Sequence, residues 1–240
     1  MSHYLLVHGA WEESTSWELV VPTLEAQGHI VTAIDLPGHG ANMQPINQMT
    51  MANYIDTIIN EINKIEVPVI LVAHSMSGSV VSQVAEKIPK QIERLVYVAA
   101  FLLENGGTVL AAMQSDTGEF LPNIIFSDDQ SYATLPEQTL REAGFHDVKE
   151  DVIQHFLPLM VEKQATDPFM SPVGMTQENF GSVPKTYIRT SIDKVTTPAL
   201  QDRMIANWQV EKVLHLEAGH FPAFSVPKEL AQLLLSTSTH

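Results

Sequence analysis

Six short apolar runs punctuate the chain: YLLVH (4–8), HIVTAI (29–34), VPVILVA (67–73), RLVYVAA (94–100), KTYIRT (185–190) and KVLHLEA (212–218). Most are continuously apolar rather than alternating, as expected of parallel strands covered on both faces. Between the early runs the spacing changes to a helical one. SWELVVPTLEAQG (16–28) carries apolar residues at helical intervals and stops at a glycine, MANYIDTIINEINKI (51–65) repeats isoleucine on one face, and SGSVVSQVAEKIP (77–89) ends before a proline. Strand, helix, strand, repeated, predicts a doubly wound α/β fold: a mainly parallel sheet of about six strands with helices on both faces.

The rhythm breaks over residues 101–183. A hairpin is predicted in NIIFSDDQSYATL (123–135), helices in PEQTLREAGF (136–145) and VKEDVIQHFLPLMVEKQ (148–164), and a proline-punctuated loop in DPFMSPVGM (167–175). This stretch reads as a cap inserted after the fourth strand of a single domain spanning 1–240. The terminal PKELAQLLL (227–235) reads as a closing helix.

Composition narrows the partners. The 240 residues carry a formal net charge of −15 and are 45% hydrophobic. That is enough apolar material for one sizeable core, and it lacks the basic footprint that nucleic acid needs. There is no cysteine, which excludes disulfides and thiolate metal sites. The first residues, MSHYLLVHGAWEE, have no basic leader, and no run approaches the roughly 20 apolar residues of a membrane span. The expectation is a soluble, cytoplasmic protein with no membrane or nucleic-acid partner. Its oligomeric state stays open, a homodimer included.

The chemistry concentrates in ILVAHSMSGSVV (70–81). Ser75 falls just past the end of an apolar strand, where a helix pattern begins. A strand–turn–helix of this kind can present a nucleophile on a sharp elbow, provided its flanking residues are small. Ala73 and Ser77 meet that need in place of the glycines of G-x-S-x-G, and Gly78 lets the helix start close to the sheet. Ser77 is the rival, but it would already lie inside the helix. A serine hydroxyl needs a base, and the base an orienting acid, in the chain order Ser, Asp or Glu, His. Asp193, in the loop after the fifth run, and His220, after the sixth, supply that order on the same rim. An aspartate in such a loop also suits an Asx turn or helix cap. Glu104 is the substitute acid, and Asp35 reads as shaping the loop after the second strand. The amides of Met76 and Ala10 are the candidate oxyanion donors, with Gly9 permitting close approach and His8 pinning the turn.

LLVHGAW, GHIVTAIDLPGHG, VILVAHSMSG, RLVYVAAFL, YIRTSIDKVTTP and EAGHFP resemble the α/β-hydrolase superfamily, closest to the branch of plant methylesterases, hydroxynitrile lyases and bacterial esterase relatives. The resemblance runs nearly end to end and is weakest in the cap. It implies the α/β-hydrolase fold, Ser75 as nucleophile, Asp193 as acid, His220 as base, and Ala10 and Met76 at the oxyanion hole. The lyases of this branch carry a lysine after the histidine and a threonine on the first-strand loop. Here Phe221 and Gly9 stand there, which disfavours cyanohydrin cleavage.

The reading is a serine carboxylesterase acting on small or medium apolar esters, with no cofactor and no metal. Trp11, Phe101, Met113, Phe120, Phe126, Met160, Met170 and Phe221 are candidate pocket walls. A lactone is a cyclic ester, so lactonase activity is one alternative; a carbon–carbon lyase is another, and a ligand-binding receptor on the same scaffold a third.

Overall fold

The computed structural model describes residues 1–238. Its main sheet contains β1 (His3–Val7), β2 (Ile30–Ile34), β3 (Val69–His74) and β4 (Ile92–Val98), followed by two strands from the C-terminal third. Helices α1 (Val21–Ala26), α2 (Met51–Ile62) and α3 (Ser77–Lys87) connect the first four strands. Between β4 and the fifth strand of the sheet lie α4 (Val109–Gln114), β5 (Ile125–Phe126), β6 (Tyr132–Thr134), α5 (Glu137–Thr139), α6 (Glu150–Phe156), β7 (Gln164–Ala165) and α7 (Asp167–Met170). The main sheet then resumes with β8 (Lys185–Thr190), α8 (Pro198–Ala206), β9 (Lys212–Leu216), α9 (Pro222–Ser225) and α10 (Pro227–Leu235).

All six apolar runs become strands of one parallel sheet, in the order β2-β1-β3-β4-β8-β9. Where the runs are continuously apolar the cause is direct: the central strands β1, β3 and β4 are buried on both faces, while the edge strands β2 and β9 are partly open to solvent. Leu5, Val7, Leu71, Ala73, Leu95 and Tyr97 pack with α2 and α3 on one face. Tyr4, Leu6, Ile70, Val72, Val96 and Val98 pack with α1 and α10 on the other. The chain leaves β1 toward β2 on one side and returns to β3 on the other. The switch point therefore lies between β1 and β3, where Val7 is in register with Ala73. Ligand crevices form at such points, outside the carboxyl ends of the strands.

Proline decides where several predicted helices differ from the observed ones. The stretch 16–28 is a 3₁₀ turn (Ser14–Trp17) followed by α1, with Pro22 in its first turn. The helix read over 148–164 stops at Phe156 and becomes a 3₁₀ turn holding Pro158. Proline removes an amide donor and its ring crowds the carbonyl one turn back. Beyond it Gln164 joins β7 instead. The stretch 136–145 is a single turn of α-helix running into a π-helical turn over Leu140–Gly144. The loop read at 167–175 opens with α7, whose first turn accommodates Pro168. Helix α8 was not among the predicted elements, although Thr197 caps it by accepting from the Leu200 amide and Pro198 occupies its first turn. The hairpin is present, with Ile125 opposite Thr134, and β7 extends it to a three-stranded sheet. Residues of this intervening segment, among them Phe120, Phe145, Phe156 and Phe169, share one hydrophobic core with the sheet face that carries α3.

Helix α3 starts close to β4 because Gly78 has no side chain. A Cβ there would sit 2.7 Å from the Phe101 amide nitrogen and 2.8 Å from its carbonyl oxygen. Both are backbone atoms that cannot rotate away. Gly78→Ala is expected to cost about 1–3 kcal/mol of stability, read as a lowered midpoint in urea unfolding.

Candidate active site

The site grows from the end of β3. Every residue of that strand is buried, and the chain leaves it at Ser75 with φ +50°. A non-glycine residue in this left-handed region is strained by about 1–3 kcal/mol. The surroundings impose it: the Ser75 carbonyl accepts from the amides of Gly78 and Phe101, while its own amide bonds Val98. The Ser77 hydroxyl, the rival of the sequence reading, donates to the His8 carbonyl and lies in the first turn of α3. It staples the elbow to the β1 loop and faces no base.

Ser75 Oγ lies 2.9 Å from His220 Nε2. His220 Nδ1 lies 2.9 Å from Asp193 Oδ2. Asp193 and His220 are both nearly inaccessible to water. The second aspartate oxygen, Oδ1, accepts from the amides of Val195 (2.7 Å) and Thr196 (3.0 Å). The Thr190 hydroxyl adds a bond to Oδ2 at 3.0 Å. The carboxylate is thus held from three sides, by two amides of its own loop and by the end of β8. Glu104 is exposed on a separate groove between α4 and α8 and is not part of this cluster. Asp35 shapes its loop, accepting from the amides of Ser14 and Ala41.

The amides of Ala10 and Met76 make no hydrogen bond to any described residue, and both residues line the cavity that holds Ser75. One of them is aimed by His8. His8 Nδ1 donates to the Gly9 carbonyl at 2.8 Å, while its Nε2 accepts from the Leu36 amide at 3.1 Å. These partners require a neutral ring protonated on Nδ1. Burial agrees, lowering the His8 pKa to about 4. In a trans peptide C=O and N–H point opposite ways. Fixing the Gly9 oxygen toward His8 therefore turns the Ala10 N–H away from it. Gly9 itself has no room for a side chain: a Cβ would meet Ser75 Cβ and His74 Nδ1, each at 2.9 Å.

The cavity is lined by Ala10, Trp11, Met76, Phe101, Met113, Phe120, Phe169, Val195 and Phe221 around Ser75, His74 and His220. Of the predicted walls, Trp11, Phe101, Met113, Phe120 and Phe221 are there. Phe126, Met160 and Met170 are not. Phe126 lies on the short β5 with 37% of its surface exposed, and Met170 is 38% exposed at the end of α7. Met160 packs against the core elsewhere. The turn of α7 directs Phe169, one position earlier, against Trp11 with ring centres 5.8 Å apart. Val195 was also missed, though it stands two residues after Asp193. Glu12 and His74, which form a buried ion pair at 2.9 Å beside the site, were missed because separation by 62 residues carries no local signal. The lining holds no lysine or arginine, and Phe221 occupies the place after the histidine. Water-sized space in the cavity is about 10 Å³, room for about one water molecule. Among the described residues no cluster of potential metal ligands is found, and no helix is long and apolar enough to cross a membrane.

Comparison with known proteins places this geometry in context. A model of the alpha/beta hydrolase family matches residues 4–233. Methylesterase 7 of Arabidopsis thaliana is 30% identical over 252 residues, covering 97% of this chain and 94% of that protein. The putative chloroplastic methylesterase 11 of the same plant is also 30% identical, and there the chain spans 63% of the relative's length. A crystal structure of a pyrethroid hydrolase from Sphingobium faniae JZ-2 superposes with a TM-score of 0.87 at 27% identity, covering 98% of this chain and 96% of the other.

Proposed function

The chain belongs to the alpha/beta hydrolase family, and from that membership we propose that it is a serine carboxylesterase working through an acyl-enzyme. The relatives named methylesterase and pyrethroid hydrolase support ester hydrolysis as the reaction class. The observation that carries the finer reading is the unbroken chain of hydrogen bonds from Ser75 Oγ through His220 to Asp193, at 2.9 Å for each link. His220, held by Asp193 with its proton on Nδ1, takes the Ser75 proton as Oγ attacks the ester carbonyl. The two unpartnered amides of Ala10 and Met76 receive the oxyanion. His220 then returns the proton to the leaving alcohol, and water repeats the sequence on the acyl-enzyme.

Residues 101–183 act as the cap in this reading. They supply Phe101, Met113, Phe120 and Phe169 to the cavity. An apolar lining without a cationic side chain favours a small, uncharged ester. The test is turnover of p-nitrophenyl acetate and butyrate together with labelling by a fluorophosphonate probe. Mass shift on the peptide carrying Ser75 is expected; labelling of a different serine, or no turnover of either ester, refutes the assignment.

Phe120 sets chain length. Its ring stands edge-on to His220 at 6.0 Å and to Trp11 at 6.2 Å. Phe120→Ala is expected to raise the ratio of kcat/KM for p-nitrophenyl octanoate over acetate by about tenfold, since each methylene accommodated in an apolar pocket is worth roughly 1–3 kcal/mol. Parallel assays of the two esters read the ratio directly.

A further inference from the structure

Glu12 and His74 take no part in the proton transfers above, yet they are among the most deeply buried charged groups of the chain, with side chains 2% and 5% exposed. Glu12 Oε2 accepts the Gly9 amide at 2.6 Å. Glu12 Oε1 lies 2.9 Å from His74 Nδ1. On the far side of the ring, His74 Nε2 lies 2.7 Å from the carbonyl oxygen of His220. The two ring nitrogens therefore face a carboxyl group and a backbone carbonyl oxygen. With Glu12 ionised, the ring satisfies both only as an imidazolium, and the carboxylate balances its charge. Contrast His8, one loop away, whose partners demand the neutral form.

Burial opposes the charge on each partner. Their mutual attraction and hydrogen bonds more than offset it, so the His74 pKa is raised and the Glu12 pKa lowered from their ordinary values. A fold gains little from such a pair, because removing two charges from water costs about as much as the attraction returns. Its placement is what distinguishes it. One end ties the Gly9–Ala10 turn, the other the main chain of His220, and the ring stands 4.9 Å from that of His220.

We propose that Glu12 and His74 are a positioning pair for ester hydrolysis, one buried unit that holds the Ala10 amide and the His220 backbone in register about the same oxyanion. The inference rests on the triad reading given above. The pair also leaves His220 facing a neutral unit. The other titratable groups around it are Asp193 and His220 on one side and His8 on the other, with His39 and Asp35 behind His8.

The variants His74→Gln, Glu12→Ala and the double variant test this. His74→Gln leaves the Glu12 carboxylate unbalanced near His220. An anion favours the protonated base, and catalysis needs the neutral base, so the acid limb of kcat/KM moves to higher pH, by about half a unit or more. In the double variant the charge is gone and the limb returns to its original place, while kcat stays down about 30-fold or more with KM changed less than about threefold. Glu12→Ala alone, which removes the acceptor of the Gly9 amide and the partner of His74, gives the same loss of kcat without the upward shift. A double variant with the original kcat, or a limb unmoved by His74→Gln, overturns the proposal. The doubly neutral variant buries no lone charge, so it remains informative if His74→Gln fails to fold. Nitrogen-15 spectra of the histidines in the unaltered protein give a readout that needs no ester. His74 is expected to stay doubly protonated to higher pH than a free imidazole, as the Glu12 carboxylate beside it favours the charged ring; a ring that loses its proton at or below the free imidazole value overturns the pair. Absence of ester turnover with His74 doubly protonated would sink the esterase reading and leave the ion pair standing.

Discussion

Replacing Ser75 by alanine is expected to lower kcat for p-nitrophenyl butyrate by about five to six orders of magnitude. Alanine offers no oxygen to attack the carbonyl, and His220 is left with nothing to deprotonate but water. What survives is the contribution of the oxyanion donors and of binding, which alone are worth about 10³–10⁴ over the uncatalysed rate. The fold should not notice. Ser75 Oγ bonds only His220, while the elbow is held by the Ser75 amide and carbonyl, which alanine retains. The strain at φ +50° is also unchanged, because alanine carries the same Cβ. Stability within about 1 kcal/mol of the original protein, with activity and Ser75 labelling gone, is the expected pair of results. Retained turnover would refute the nucleophile assignment.

Asp193→Asn is expected to cost about 10⁴-fold in kcat, for a reason legible in its contacts. Oδ1 accepts two backbone amides, from Val195 and Thr196. An asparagine must keep its carbonyl oxygen there, which turns its NH₂ group toward His220. Nδ1 of His220 then has to accept, and its proton moves to Nε2, the nitrogen that faces Ser75. The base is present but in the wrong tautomer. Asp193→Ala makes the comparison sharper. It also abolishes turnover, but orphans the two amides, so its thermal midpoint falls while that of Asp193→Asn stays close to the original. Comparable destabilisation by both variants would show that the aspartate serves its loop rather than the base.

The centre of the sheet was readable because burial on both faces writes apolar runs, and together with the half-exposed edge runs these gave six strands. The helices were less readable. Pro158 and Pro22 fall inside apolar periodicity that would otherwise continue, and periodicity alone does not say whether a proline ends a helix or starts one. At α8 the Thr197–Pro198 signal was present and unused. In the cavity the error is of another kind. Choosing large apolar residues from the intervening segment found Phe101, Met113 and Phe120, but Met170 in place of Phe169. One residue along a helix is about 100° of rotation, enough to move a side chain from the cavity to solvent.

The sequence by itself determined the parallel sheet and the order of Ser75, Asp193 and His220 at the ends of successive strands, because strand ends and small-residue elbows are local features. Only the tertiary structure decided that Ser77 staples the elbow to His8, which rings close the cavity, and that Glu12 meets His74. Those contacts join residues up to well over a hundred positions apart. Their partners are chosen by the strand order and by the turn of each helix, which bring together side chains that no spacing along the chain connects.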